Sequence, residues 1–204
     1  MMSMRIRAVG ASALLVECAD ADEVEAWRAE AWRRREADDL HVVEIVPGAR
    51  TVLLDGVDPL AAGRIGSWTP APVGATSPDS SLVRIPVTFD GEDLPDIARR
   101  WDVSVSSAVE RLAGTELVVA FSGFAPGFAY MRGLGGSVPR LAEPRPRVPA
   151  GSVGLAGPYA GIYPAESPGG WRLVGRTTTA LFDVERDPPA LLGPGTRVRL
   201  EVAE

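Results

Sequence analysis

Glycine and proline crowd into one end of this chain. Of its 22 glycines and 18 prolines, 14 and 11 lie in residues 121–204. Glycine reaches backbone angles closed to other residues, and proline fixes φ while removing a donor. Such a stretch cannot sustain long helices. It predicts short strands joined by tight turns, in a barrel or a sandwich.

The first half is different. Residues 5–9 and 13–18 (ALLVEC) read as strands. Residues 22–37 read as a helix, with Val24, Trp27 and Ala31 on one apolar stripe. Asp22 and Glu23 at its start and Arg33, Arg34 and Arg35 at its end suit the helix dipole. Residues 42–46 and 51–54 read as strands around a Pro47-Gly48 turn, with a short helix after Asp58-Pro59. This is a small α+β layer pair. Residues 67–80 (SWTPAPVGATSPDS) read as a linker. Beyond it come a strand at 82–88, helices at 93–101 and 104–112, an apolar strand at 117–121, and a closing alternating strand at 197–202. Ser104 is the expected N-cap of the second helix and Gly114 its stop. The expected organisation is an N-terminal α+β domain over 1–81 and a β-barrel domain over 82–204. With 46% hydrophobic residues, each half has material for a core.

All 21 cations are arginine; lysine is absent. A coding bias toward arginine explains this without any functional demand, and the chemical consequence stands regardless. Schiff-base enzymes and P-loop NTPases both need a lysine. The lone Cys18 cannot form an internal disulfide, and one cysteine with one histidine, His41, cannot build a structural zinc site. Cys18 ends an apolar strand and is expected to be a packed, inert thiol. His41 precedes an apolar strand and is expected at a strand edge. The net charge of −6 argues against a nucleic-acid groove. No apolar run reaches the length of a bilayer span, and residues 1–7 lack the apolar stretch of a signal peptide. A cytoplasmic protein without a protein-bound metal is expected.

Three glycine-rich stretches could carry chemistry: Gly123 to Tyr130 (GFAPGFAY), Pro149 to Gly157 (PAGSVGLAG), and Gly161 to Thr177 (GIYPAESPGGWRLVGRT). Such loops let a backbone approach a ligand or present N–H groups to an anion. Arg145, Arg147 and Arg176 lie nearby in sequence and could clamp a carboxylate or phosphate. The same pattern also fits barrel corners bearing surface arginines. Ser152 misses the nucleophile-elbow pattern at its first glycine, and His41, the one imidazole, lies in the other half.

The wording of these stretches, together with LFDVERDPPALLGPGTRV, GASALLVE and VEIVP, resembles the KipI family, also known as the B subunit of 5-oxoprolinase or as allophanate hydrolase subunit 1. The resemblance covers nearly the whole chain. It implies an α+β domain followed by a cyclophilin-like β-barrel. It also implies a companion with a related barrel, the KipA-like protein or 5-oxoprolinase C subunit, acting with a LamB/YcsF-like third component. Such complexes couple ATP, with Mg, to the opening of 5-oxoproline to glutamate. Two other activities attach to the family: half of a carboxyltransferase in urea carboxylases, and inhibition of a sporulation histidine kinase by a Bacillus member. Literal allophanate hydrolysis by a Ser–Ser–Lys amidase is excluded in a lysine-free chain.

Resemblance and residue chemistry together assign the expected site. Arg147 and Arg176 meet an anion, and Ser152 supplies a hydroxyl, as the catalytic set. Gly123, Phe124, Pro126, Gly127 and Phe128 shape one wall, Gly151 offers a backbone donor, and Tyr163 closes the site. The chain departs from the family in places. The histidine usual eleven residues before Gly123 is Leu112, followed by Ala113, and the usual tyrosine is Leu117. The early Gly-Asp is Gly10-Ala11, the GFPY motif is Gly127-Phe128-Ala129-Tyr130, and the segment between Pro139 and Val148 is shortened.

Overall fold

The computed structural model describes residues 5–72 and 82–203, and the chain divides into two compact units, residues 1–79 and 80–204. In the first, strands β1 (Arg5–Val9), β2 (Ala13–Glu17), β3 (Glu44–Pro47) and β4 (Thr51–Asp55) form an antiparallel sheet in the order β1-β2-β4-β3. Helix α1 (Ala21–Glu36) packs on one face. It starts where Asp20 accepts hydrogen bonds from the N–H groups of Asp22 and Glu23, at 3.0 and 2.9 Å. The expected stripe of Val24, Trp27 and Ala31 is buried against Leu14, Val16, Val52 and Leu54 from alternate positions of β2 and β4. A 3-10 turn (Pro59–Ala61) and helix α2 (Ala62–Gly66) follow Asp58, as the sequence predicts.

Three local expectations change. The linker expected at 67–80 does not begin at 67: Trp68 is core, its ring 6.2 Å from Trp27 with the Arg34 guanidinium over it at 4.1 Å. Its remainder from 73 lies outside the described residues. The third strand starts at Glu44 and not at 42, and His41 is an exposed residue of the irregular segment before it, off the strand edge. Cys18 is buried as expected, and its thiol is pushed up to about 12, first by burial and then by Glu23 and Asp20.

The second unit is the barrel. Its strands are β5 (Leu82–Val87), β6 (Glu116–Ser122), β7 (Ala129–Arg132), β9 (Ser152–Ala156), β10 (Tyr159–Ile162), β12 (Arg172–Arg176) and β13 (Arg197–Val202). They run in the order β12-β9-β10-β7-β6-β13-β5. The two outer strands meet where Thr88 and Arg176 exchange backbone hydrogen bonds, both 2.9 Å, so the sheet closes there. Inward residues such as Ile85, Val119, Met131, Leu155, Val174 and Leu200 fill the interior, joined by Ile97 of helix α3 (Leu94–Arg100) and Leu112 of α4 (Val105–Gly114). Ser104 caps α4 through the Ser107 N–H, as expected. A ribbon of β8 (Arg145–Val148) and β11 (Ser167–Gly169) makes a separate two-stranded sheet. The expected α+β layer pair followed by a β-barrel is the fold. No helix among the described residues is long and apolar enough to cross a membrane.

Candidate functional site: an aromatic face with a strained loop

Side chains alternate across the barrel wall. Ala129, Met131, Val153, Leu155, Ala160 and Ile162 point into the core, whereas Phe128, Ala156, Tyr163 and Trp171 belong to a second cluster. That cluster lies on the outer face, together with Val148 of the ribbon. Its rings interlock: Phe128 lies 5.5 Å from Tyr163, 5.3 Å from Trp171 and 5.0 Å from Tyr130, which stacks on Phe121 at 4.4 Å. Gly161 is required beneath them, because a Cβ there would stand 2.9 Å from both Phe128 and Trp171. Burial pushes the Tyr163 phenol up, against the opposing pull of the Trp171 N–H and of Arg140 and Arg145.

The GFAPGF segment crosses this face as a tight loop. The Gly123 N–H donates to Phe128 O at 3.2 Å, the Ala125 N–H to Gly123 O at 2.8 Å, and the Phe128 N–H to Ala125 O at 3.0 Å. The loop holds Phe124 at φ +70°, a left-handed conformation that costs a bulky residue about 1–3 kcal/mol. Yet Phe124 is 62% exposed, its ring meeting Phe128 and Tyr163 in T-shaped geometry with centroids 5.3 and 6.3 Å apart.

The structure brings most of the expected residues to this face. The Gly151 N–H donates to Tyr163 O at 2.7 Å, and the Tyr163 N–H to Ser152 O at 2.9 Å. Ser152 pairs in register with Arg176. Gly123, Pro126 and Gly127 lie in the Phe124 loop, and Arg147 adjoins Val148 on the ribbon. Several expected roles do not fit this placement. The Gly151 amide is engaged by Tyr163 O, and Ser152, expected to supply its hydroxyl, is only 6% exposed in the strand. Tyr163 is buried beneath the loop and does not lie over it. Of the expected arginines, Arg147, paired with Glu166 at 2.6 Å, and Arg176, paired with Asp90 at 2.8 Å, keep exposed guanidinium groups.

Other residues of this region are not evident from sequence. Asp93 is buried and accepts from Arg145 at 2.9 and 3.0 Å and from the Leu173 N–H at 2.7 Å, fixing the ribbon to the barrel. Nothing in the sequence marks a partner 52 residues away. The i, i+2 spacing of Phe128 and Tyr130 is a readable sign of a shared face. Leu112 and Leu117, where the family carries histidine and tyrosine, are fully buried in the barrel core. Among the described residues, no group of three or more His, Cys, Asp and Glu could hold a metal ion.

A closed barrel with an aromatic outer face, following an α+β unit, is the architecture of a carboxyltransferase-type domain. The chain belongs to the family described as carboxyltransferase domain, subdomain C and D, which matches residues 4–192. More particularly, it is 43% identical over 180 residues, 82% of each chain, to the 5-oxoprolinase B subunit of Escherichia coli O157:H7. Against the 5-oxoprolinase B subunit of Bacillus subtilis it is 42% identical over 58% of this chain and 51% of that one. The crystal structure of TTHA0988 superposes with a TM-score of 0.74 at 33% identity, over 98% of this chain and 40% of that one. The chain thus spans two fifths of that longer polypeptide. The Kluyveromyces lactis urea carboxylase shares the fold, with a TM-score of 0.68 at 21% identity over 98% of this chain and 22% of that one.

Proposed function

We propose that this chain is one component of an ATP-dependent complex that opens 5-oxoproline, or a closely related lactam, to the amino acid, working with a KipA-like companion barrel protein and a LamB/YcsF-like third component. The observation that carries this reading is the 43% identity to a 5-oxoprolinase B subunit across 82% of both chains. ATP with Mg would supply a phosphoryl group to the lactam oxygen with release of ADP, and hydrolysis elsewhere in the complex would break the ring C–N bond and release the phosphate. This chain contributes position and charge. With no lysine and with the Gly151 and Ser152 amides engaged, its anion donors are Arg147 and Arg176. Each leaves its carboxylate, or shares it, to meet the incoming anion. Ser152, beside Arg176, adds a hydroxyl, and the Phe124 loop forms an apolar wall. Such a site is incomplete without a companion surface.

Reconstitution tests this. This chain, the KipA-like protein and the LamB/YcsF-like protein, given ATP and 5-oxoproline, produce glutamate. The double variant Arg147→Ala/Arg176→Ala lowers kcat/KM by at least a hundredfold while circular dichroism stays native. Absence of glutamate with an active reference complex, or undiminished turnover in the double variant, overturns the assignment.

The family description favours a second reading, in which the chain is half of a carboxyltransferase acting on urea or a similar amine. A biotinylated carrier with its carboxylase, bicarbonate, ATP and urea would then yield carboxylated product only when this chain and its companion are added.

A further inference from the structure

We propose that Phe124, Phe182 and Val184 form the docking face for the companion barrel protein, whose matching surface is an apolar pocket rimmed by arginine or lysine. This rests on the heteromeric reading above and adds to it where the partner sits.

The three side chains are 62%, 39% and 74% exposed. They come from two loops that are packed together: a Cβ on Gly127 would stand 2.7 Å from the Phe182 Cβ and 3.1 Å from Leu181 O. The second loop is closed by the Phe182–Ala190 bridge and by the Asp183 N–H donating to Pro189 O at 3.0 Å. Both loops are therefore built, and both present apolar groups outward. Holding an aromatic ring in solvent at a left-handed φ is costly twice over, in backbone strain and in exposed apolar surface. Exposed aromatic anchors of this kind dominate binding energy when a partner covers them.

Charge identifies the partner. Asp183, Glu185 and Asp187 flank Val184, all exposed, and none forms an ion pair among the described residues. The nearby cation is turned away: Arg186 donates inward to Ala180 O at 3.2 Å. Three uncompensated carboxylates around an apolar tip call for a basic rim. A second copy of this chain fits poorly, because its net charge of −6 sets like charge against the three carboxylates.

Calorimetric titration of the full chain with the purified companion barrel protein tests this. Val184→Asp and Phe182→Ser each raise Kd at least tenfold. The triple variant Asp183→Asn/Glu185→Gln/Asp187→Asn raises Kd at low salt and flattens its salt dependence, while Arg35→Ala on α1 binds normally. Thermal melts confirm that each variant is folded, and the triple variant, confined to exposed positions, keeps the test valid if Phe182→Ser is unstable. If the unaltered chain binds and all patch variants bind within twofold of it, the patch is wrong and the heteromer stands. If the unaltered chain does not bind, the heteromeric reading falls with it. A homodimer in sedimentation that Val184→Asp dissolves would make the occupant a second copy and overturn the proposal.

Discussion

Gly151 is the residue the barrel can least replace. At φ +80°, its missing Cβ would stand 2.0 Å from Thr177 O, so a methyl group there must push two strand ends apart. Gly151→Ala is expected to lower stability by about 2–4 kcal/mol, read from urea unfolding. The glycine-rich stretch marks it in sequence as a candidate ligand donor, but its structural role is close backbone packing beside Tyr163. Cys18 is equally fixed by its surroundings. A thiol raised to about 12 stays protonated in the folded chain while the unfolded thiol ionises near 9. The stability it confers is therefore complete below pH 9 and is lost as pH rises toward 12. Native protein at pH 8 should leave a thiol reagent such as DTNB unreacted until denaturant is added.

Among the elements, the β8–β11 ribbon is tied to the barrel through the Asp93 carboxylate, with Glu92 as a second partner of Arg145. Asp93 stands at the N-cap of α3 yet makes no side-chain cap bond there, because its oxygens are taken by Arg145 and the Leu173 N–H. Asp93→Ala leaves the Leu173 amide without its acceptor and leaves Arg145 only Glu92, at 2.7 Å, and Trp171 O, at 3.3 Å, and should cost about 1–3 kcal/mol in chemical denaturation. On β6, hydrogen bonding from Arg197 holds Glu116 below its ordinary carboxylate value. Its contribution is present above the ordinary range and disappears as pH falls through the lowered value. Between pH 6 and pH 3 the unaltered chain should lose more Tm than Arg197→Met, measured in parallel melts. These elements also show what sequence conveys. Periodicity locates α1, α4, β4 and β13 because each is a single stretch with one buried face. Ser167-Pro168-Gly169 could not be recognised as a strand, since two of its three residues disfavour strands and its partner lies in β8. The glycine-rich loops are visible as loops, but what they approach is mostly aromatic rings and neighbouring backbone, a fact that depends on strands far apart in sequence.

At the scale of the whole molecule, each unit has its own apolar core, one built on Trp27, Leu14 and Leu54 and the other on the barrel interior. A fragment spanning residues 82–204 should therefore melt as one cooperative transition in calorimetry, and the same fragment cut before residue 197 should not. The reason is the parallel pairing of β13 with β5, six residue pairs from Arg197–Leu82 to Val202–Val87. This seam joins the unit's first strand to its last, and so sets an order of events during synthesis. The α+β unit has Trp68, the last of its core residues among those described, in hand while the barrel still awaits residue 202. At about 5–20 residues per second, the intervening 134 residues take roughly 7–27 s. From its own synthesis until β13 arrives, β5 stands with an unpaired edge and a half-apolar face, at risk of pairing with a neighbouring chain. A lysate in which synthesis stalls short of residue 197 should accumulate this protein as aggregate, with the first unit folded and the barrel unmade.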